Sequence, residues 1–401
     1  MSIGAVLRHH YPQVLAKVVR RTQNLPQAED ALQTAVERAL MHWSSSGIPN
    51  NPAGWLLSVS MRLVVDYHRH SAVVRNKAPE LLYLQATTTL PSLDGWHDDA
   101  LRLLVHCCEP ALGFSERVAL SLATVAGLSC AELAGVFRVE TRTMEQRLVR
   151  ARRRLRERGD PEAPEPGSIS ERLSSVLAVI QLIHTEGSWS QGESPIQQDL
   201  CRFALELVKA VVMVLPHEPE PMGLYAQLLF FKARLPARFD SAGPVPLDRQ
   251  ERSLWDKEIK QRGFDVLYAA LSLGSPGCYQ IEAAIAAVHM EAPTAETTDW
   301  AQIALLYDAL VEFRSSPVVI VNRAFAVGMS GSVEEGLAIL ATVEHLPAIQ
   351  KAPYAYLVKG TLLLELQRWN EAKIALTLAK ARARNSAELR QIEARLDSLQ
   401  S

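Results

Sequence analysis

Nine basic side chains stand between Arg138 and Arg158, against three acidic ones, within the stretch LSCAELAGVFRVETRTMEQRLVRARRRLRER that begins at Leu128. A guanidinium is a planar fork of N–H donors that fits phosphate oxygens and the O6/N7 edge of guanine, and a glutamine amide fits the adenine edge. On a helix, Arg142, Gln146 and Arg150 share one face with Arg147 beside it. Thr141, Arg142 and Thr143 open that helix, and Arg153 follows farther along. These seven residues are the candidate set for reading a duplex. Arg152–Arg154, Arg156 and Arg158 are expected to meet phosphate. The chemistry on offer is recognition of a polyanion.

Bond-making chemistry finds no comparable footing. The chain has no P-loop, no GxGxxG, no GxSxG and no HExxH. His289, Glu291 and Asp299 read as polar groups at helix ends, and Glu186 with Gly187 as a turn. The five cysteines, Cys107, Cys108, Cys130, Cys201 and Cys278, include no CxxC pair and no accompanying histidine cluster. No catalytic residue, metal or cofactor is expected, and the thiols should be reduced.

The elements that must position the basic face are helical. Ser129 should cap a short helix over Ala131–Phe137, and Val139–Thr141 should break it before a basic helix over Arg142–Arg158. That succession is the helix-turn-helix pattern, whose second helix enters the major groove. Upstream, Asp99–Cys108 reads as one helix. Arg117–Val125 reads as another, capped by Ser115 and stopped by Gly127. Residues 1–70 read as three helices, the second opening at Pro26 with Glu29 and Asp30 in its dipole-favoured first turn. Trp55 is expected in their core.

Two segments divide the chain. Residues 71–97 hold Pro79, Thr87–Thr89 and Pro91, and residues 159–168 read GDPEAPEPGS. The expected domains are therefore 1–70, 98–158 and 169–401. The last is helical throughout. In it Ala324, Gly336 and Val343 recur 36 residues on as Gly360, Ala372 and Ala379. Small residues at those offsets suit the close helix pairs of a tetratricopeptide-type array. The fold class is all-α.

Composition sets the outer bounds. A chain of 401 residues with 48% apolar and 21% charged residues is an ordinary globular chain of two or three domains. The net charge of −2 conceals a division. Residues 1–158 carry 20 Lys/Arg against 14 Asp/Glu, and residues 159–401 carry 22 against 30. The positive excess is thus the basic helix itself. The N-terminus has no signal-peptide pattern, and the longest apolar run, near Val208–Leu215, is too short for a membrane span. The expected location is the cytoplasm, with no membrane partner.

The residues carry a resemblance. RTMEQRLVRARRRLRER resembles region 4 of bacterial extracytoplasmic-function (ECF) sigma factors. AEDALQTAVERALMHW, from Ala28, resembles the region 2 helix that grips the clamp helices of RNA polymerase. NPAGWLLSVSMRLVVDYHRH, from Asn51, resembles the promoter-facing helix of region 2. The order of these parts, with AAIAAVH, TDWAQIALLYDAL and SPVVIVNRAFAV in the tail, resembles the ECF subgroup with a long tetratricopeptide-like extension. The resemblance implies core RNA polymerase and promoter DNA as partners. It places Asp30, Gln33 and Glu37 on the polymerase, and Ser45, Asn50, Asn51, Arg62, Asp66, Tyr67 and Arg69 on −10 DNA. The basic helix then reads −35 DNA, and a protein or small-molecule regulator acts on the extension.

The promoter-facing helix departs from the family in its charge. Val64, Val65, His68 and His70 dilute it, leaving Arg62 and Arg69, so its affinity for DNA should be weak. His184-Thr185-Glu186-Gly187-Ser188 stands where the subgroup commonly has a Phe-Asn-Glu-Gly-Tyr run. Two functions remain open: an ECF sigma factor, or a sigma-derived DNA-binding regulator that no longer initiates transcription. A third, an enzyme fused to a helix-turn-helix, lacks a motif.

Overall fold

The computed structural model describes residues 3–22, 24–75, 96–137, 139–157, 167–188, 198–240, 243–383, 386–397 and 399. Most of residues 71–97 and 159–168 fall outside the described residues. Helices dominate. The exception among the described residues is an antiparallel pairing of Phe239–Asp240 with Gly243–Pro244. The chain divides into two compact units, Met1–Ser188 with Gln198–Ala210, and Trp189–Gln197 with Val211–Ser401.

The first unit opens with α1 (Ile3–Thr22), α2 (Leu25–Ser46) and α3 (Pro52–Arg75). Asn24 caps α2 by accepting the Gln27 N–H at 2.9 Å, and Gly47, at φ +80°, ends it. Leu15, Val18, Leu32, Ala35 and Leu56 are fully buried where the three helices meet. Trp55 is half-buried and meets the edge of buried Trp43 at 5.4 Å.

Then come α4 (Trp96–Cys107), α5 (Phe114–Thr124), α6 (Cys130–Phe137) and α7 (Thr141–Glu157). Ser129 caps α6: its hydroxyl accepts the Glu132 N–H at 3.3 Å, and the Glu132 carboxylate accepts the Ser129 N–H at 2.7 Å. Gly127 sits at φ +71° with Pro12 3.1 Å from where a Cβ would lie, so the chain turns there. Ser115 does not cap α5. The helix starts one residue earlier, and the Glu116 carboxylate accepts the Gly113 N–H at 3.0 Å.

The C-terminal domain does not begin as a unit at residue 169. Helices α8 (Gly167–Ser188) and α9 (Gln198–Val214) lie in the first unit up to Ala210. Arg172 of α8 explains the attachment: it donates to the Val105 carbonyl at 2.9 Å and to Glu109 at 3.0 Å, with both side chains largely buried. Glu186 and Gly187 form no loop either. They belong to the last turn of α8, where a Cβ on Gly187 would come within 2.9 Å of the Cys201 backbone. Only glycine lets α8 and α9 approach so closely.

The second unit contains α10 (Pro219–Ala233), α11 (Lys257–Ser272), α12 (Cys278–Glu291) and α13 (Trp300–Phe313). It continues through α14 (Pro317–Met329), α15 (Val333–Glu344), α16 (Pro347–Gln350), α17 (Pro353–Glu365), α18 (Trp369–Lys380) and α19 (Ser386–Asp397). The pair α14–α15 and the pair α17–α18 start 36 residues apart. A Cβ on Gly336 would lie 2.6 Å from the Ala324 carbonyl oxygen, and one on Gly360 2.6 Å from Leu376 Cγ. The obstacle at Gly336 is backbone, which cannot swing aside. Gly336→Ala should therefore destabilise the second unit by roughly 1–3 kcal/mol. Gly135→Ala, in the open on α6, should be neutral or stabilising by up to about 1 kcal/mol. Amide exchange in α14–α15 and in α6 reads the two effects separately.

Candidate nucleic-acid interface

Helix α7 is held by one stripe of its surface. Met144, Leu148 and Ala151 are buried, and Leu155 is half-buried in line with them. That stripe turns Thr141, Arg142, Thr143, Gln146 and Arg150 outward, and all five are exposed. Arg142, Gln146 and Arg150 thus lie along one solvent face, as helical spacing requires. Arg150 donates from Nε to the Gln146 carbonyl at 3.3 Å, which lays its side chain along the helix. Arg147 is half-buried: its guanidinium sits 5.2 Å from the Phe137 ring centre and donates to Ser115 Oγ at 3.4 Å. It ties α7 to α5 and α6 as well as bordering the exposed face.

The arginines expected on phosphate are otherwise engaged. Arg152 pairs with Glu29, Arg153 with Glu157, Arg154 with Glu116 and Arg156 with Asp30. Arg158 falls outside the described residues. Arg153 and Glu157 are an exposed i,i+4 pair, worth little and easily exchanged for phosphate. Arg152 is different. Its Nε donates to both Glu29 oxygens, at 2.9 and 3.1 Å, and the Glu29 side chain is only 8% exposed. Glu29 is not a solvated first-turn acid: the helix starts at Leu25, and Glu29 is buried inside the contact between α2 and α7. Burial pushes its carboxyl upward and Arg152 offsets part of that; the Tyr11 hydroxyl beside it is raised by burial and then by Glu29.

Spacing could have revealed the pair. Glu29 stands four residues after Leu25 and three before Leu32, on the buried stripe of α2. Arg152 stands four after Leu148 and eight after Met144, on that of α7. A charged residue on each of two apolar stripes signals that the stripes meet.

On α2 the residues Asp30, Gln33 and Glu37 are exposed along one face, and Asp30 accepts from Arg156 at 2.6 Å. Ser45, Asn50 and Asn51, around the turn to α3, are exposed too. Ser45 Oγ donates to the His42 carbonyl at 3.0 Å, and Asn51 Oδ1 caps α3 by accepting the Gly54 N–H at 2.9 Å. Arg62, Asp66 and Tyr67 are exposed on α3. Arg69 lies on the same helix, and its side chain is outside the described residues. The fold therefore groups the residues of α2 and α3 on one three-helix body and those of α7 on another, with Glu29–Arg152 and Asp30–Arg156 between them.

Comparison with known proteins bears on this arrangement. Residues 6–73, which span α1–α3, match Sigma-70 region 2. Residues 172–271 match a family of unknown function, DUF6596. An uncharacterized protein of Rhizobium meliloti (strain 1021) is 39% identical over 398 residues, 97% of this chain and 93% of that protein. The chain belongs to this sigma-factor-like family. No solved structure matches it. The DUF6596 match in the sigma-factor-like chain starts in α8, within the first unit, and ends in α11, within the second. Among the described residues no helix is long and apolar enough to cross a membrane, and no group of three His, Cys, Asp or Glu residues could hold a metal ion.

The Glu29–Arg152 pair generates a test. Arg152→Ala should destabilise the first unit by roughly 3 kcal/mol, because it leaves a buried carboxylate alone. The double change Glu29→Met with Arg152→Met should cost much less. Amide exchange in α2 and α7 measures both, and a double variant as unstable as the single one would show that the pair's charge is not what matters.

Proposed function

We propose that this chain is an ECF-type sigma factor that binds core RNA polymerase and directs it to specific promoters. The observation that carries the reading is the Sigma-70 region 2 match over α1–α3, on whose second helix Asp30, Gln33 and Glu37 form an exposed acidic and amide face. In this reading that face meets the polymerase. Ser45, Asn50, Asn51, Arg62, Asp66, Tyr67 and Arg69 meet −10 DNA. The exposed end of α7, from Thr141 to Arg150, reads −35 DNA as the second helix of a helix-turn-helix, with Arg153 on the backbone. The polymerase performs all bond chemistry, the protein works in the cytoplasm, and the helix pairs of the second unit act as a tetratricopeptide-like modulating array.

This function requires the first unit to open. Sites about 25 base pairs apart lie roughly 85 Å apart on straight duplex. The contact between α2 and α7 holds the two regions side by side, and Arg156 covers Asp30. A sigma-derived regulator that does not initiate transcription is the second reading. What favours it is the charge of α3, whose exposed cation among the described side chains is Arg62.

Run-off transcription by purified core polymerase separates the two. The full chain should support initiation from a promoter obtained by selection on the bound complex; specific binding with no transcript would favour the regulator. Arg142→Ala and Arg150→Ala should each weaken −35 binding by about 1–3 kcal/mol where the contact is bidentate. Charge reversal of Asp30 and Glu37 together should reduce capture of core polymerase. Undiminished capture would remove that face from the polymerase contact.

A further inference from the structure

The first turn of α5 is gripped from two sides. On one side stands α7: Arg147 donates to Ser115 Oγ at 3.4 Å, and Arg154 donates to the Glu116 carboxylate at 2.6 Å. Seven residues are about two helical turns, so both arginines leave the same flank of α7. On the other side stands α8: the Arg117 guanidinium donates to the buried Ser175 hydroxyl at 2.6 Å. Ser115 and Arg117 point about 200° apart around the axis of α5, so the two grips act on nearly opposite faces of one turn.

Each grip has a second anchor. Arg147 sits against the Phe137 ring at the end of α6, and Glu116 also accepts the Gly113 N–H at 3.0 Å, which closes the turn itself. Arg172, three residues before Ser175 and on the same face of α8, donates to the Val105 carbonyl at 2.9 Å and to Glu109 at 3.0 Å. The two grips differ in their exposure to water. Ser175 and Glu109 are buried, whereas Ser115 is exposed and the Arg154 side chain is 54% exposed. A buried charge-assisted bond keeps its geometry, and an exposed one is readily exchanged. The α8 side is therefore fixed and the α7 side adjustable. Position matters for α7, since a side chain that bonds a base edge needs its helix at one depth and one rotation in the groove.

We infer that α8, the helix in which the DUF6596 match begins, positions the DNA-reading face of α7 through the first turn of α5. The inference rests on the −35 reading proposed for α7. Arg117 and Ser175 are then positioning residues: they act on Arg142, Gln146 and Arg150 through Ser115 and Glu116. The opening helix of a family of unknown function thereby serves promoter reading.

The test uses the full chain, in which the reading end of α7 is exposed, with a duplex obtained by selection on the parent and a scrambled duplex of equal length. Thermal unfolding gives the folded fraction of each sample, and affinities are compared per folded molecule. Ser175→Ala should lower the ratio of selected to scrambled affinity about three- to tenfold, with the scrambled affinity and its salt slope unchanged. Arg117→Lys, which keeps the charge and loses the fork, should do the same. Base-by-base changes in the selected duplex should show the loss spread over every position read. Ser115→Ala with Glu116→Gln cuts the turn from α7, and adding Ser175→Ala to that variant should cost nothing further. An unchanged ratio, equal loss on both duplexes, loss confined to one base pair, or additive losses in the combined variant would overturn the inference. A selection that enriches no duplex on the parent would overturn the −35 reading beneath it.

Discussion

Glu29 and Arg152 each stand on a stripe that is otherwise apolar, and the Glu29 carboxylate depends on Arg152 to offset the cost of its burial. The pair is bidentate, and its carboxylate is almost closed to water. Because the stripes of α2 and α7 meet around it, the three-helix body of α1–α3 and the basic helix become parts of one unit. Arg154 with Glu116 and Arg156 with Asp30 extend the same contact outward to solvent, where each pair is worth little. The buried pair thus specifies the contact, and the exposed pairs decide what it covers. A contact of this kind is strong while closed and collapses as a whole if one partner is withdrawn, which suits a two-state element.

Much of this could be read from the amino-acid order. The apolar spacing of Leu25, Leu32 and Ala35, the glycine at position 127 and the Ser129–Glu132 cap mark helix limits that tertiary packing leaves in place. Recurrence of small residues at Ala324, Gly336 and Gly360 marks close helix pairs, since a Cβ at either glycine would meet its neighbour. The basic face was legible as a composition but not as an assignment. Nothing in a row of arginines distinguishes Arg142, open to solvent, from Arg152, closed on Glu29, until the apolar stripe is traced through both. The start of the C-terminal domain was hidden for a related reason. A proline-rich stretch looks like a boundary, yet Arg172 and Arg117 carry α8 back to α4 and α5 through long-range bonds that no local pattern records.

Charge is also distributed by role. In the first unit three cations of α7, Arg152, Arg154 and Arg156, are matched by acids from other helices, and the exposed N-terminal part of α7 presents Arg142 and Arg150 to solvent.

The central claim is that the sigma-type regions are closed on each other in the free chain and separate when the polymerase is bound. Spin labels at Met41 on α2 and Val149 on α7, both well exposed, report that separation by double electron–electron resonance once Cys130 and Cys278 are replaced. The free chain should give one short, narrow distance distribution, and addition of core polymerase should lengthen it by tens of ångströms. Glu29→Met with Arg152→Met should broaden the free distribution toward long distances. A distribution that stays short on the polymerase, under conditions where the complex is saturated, would contradict the account.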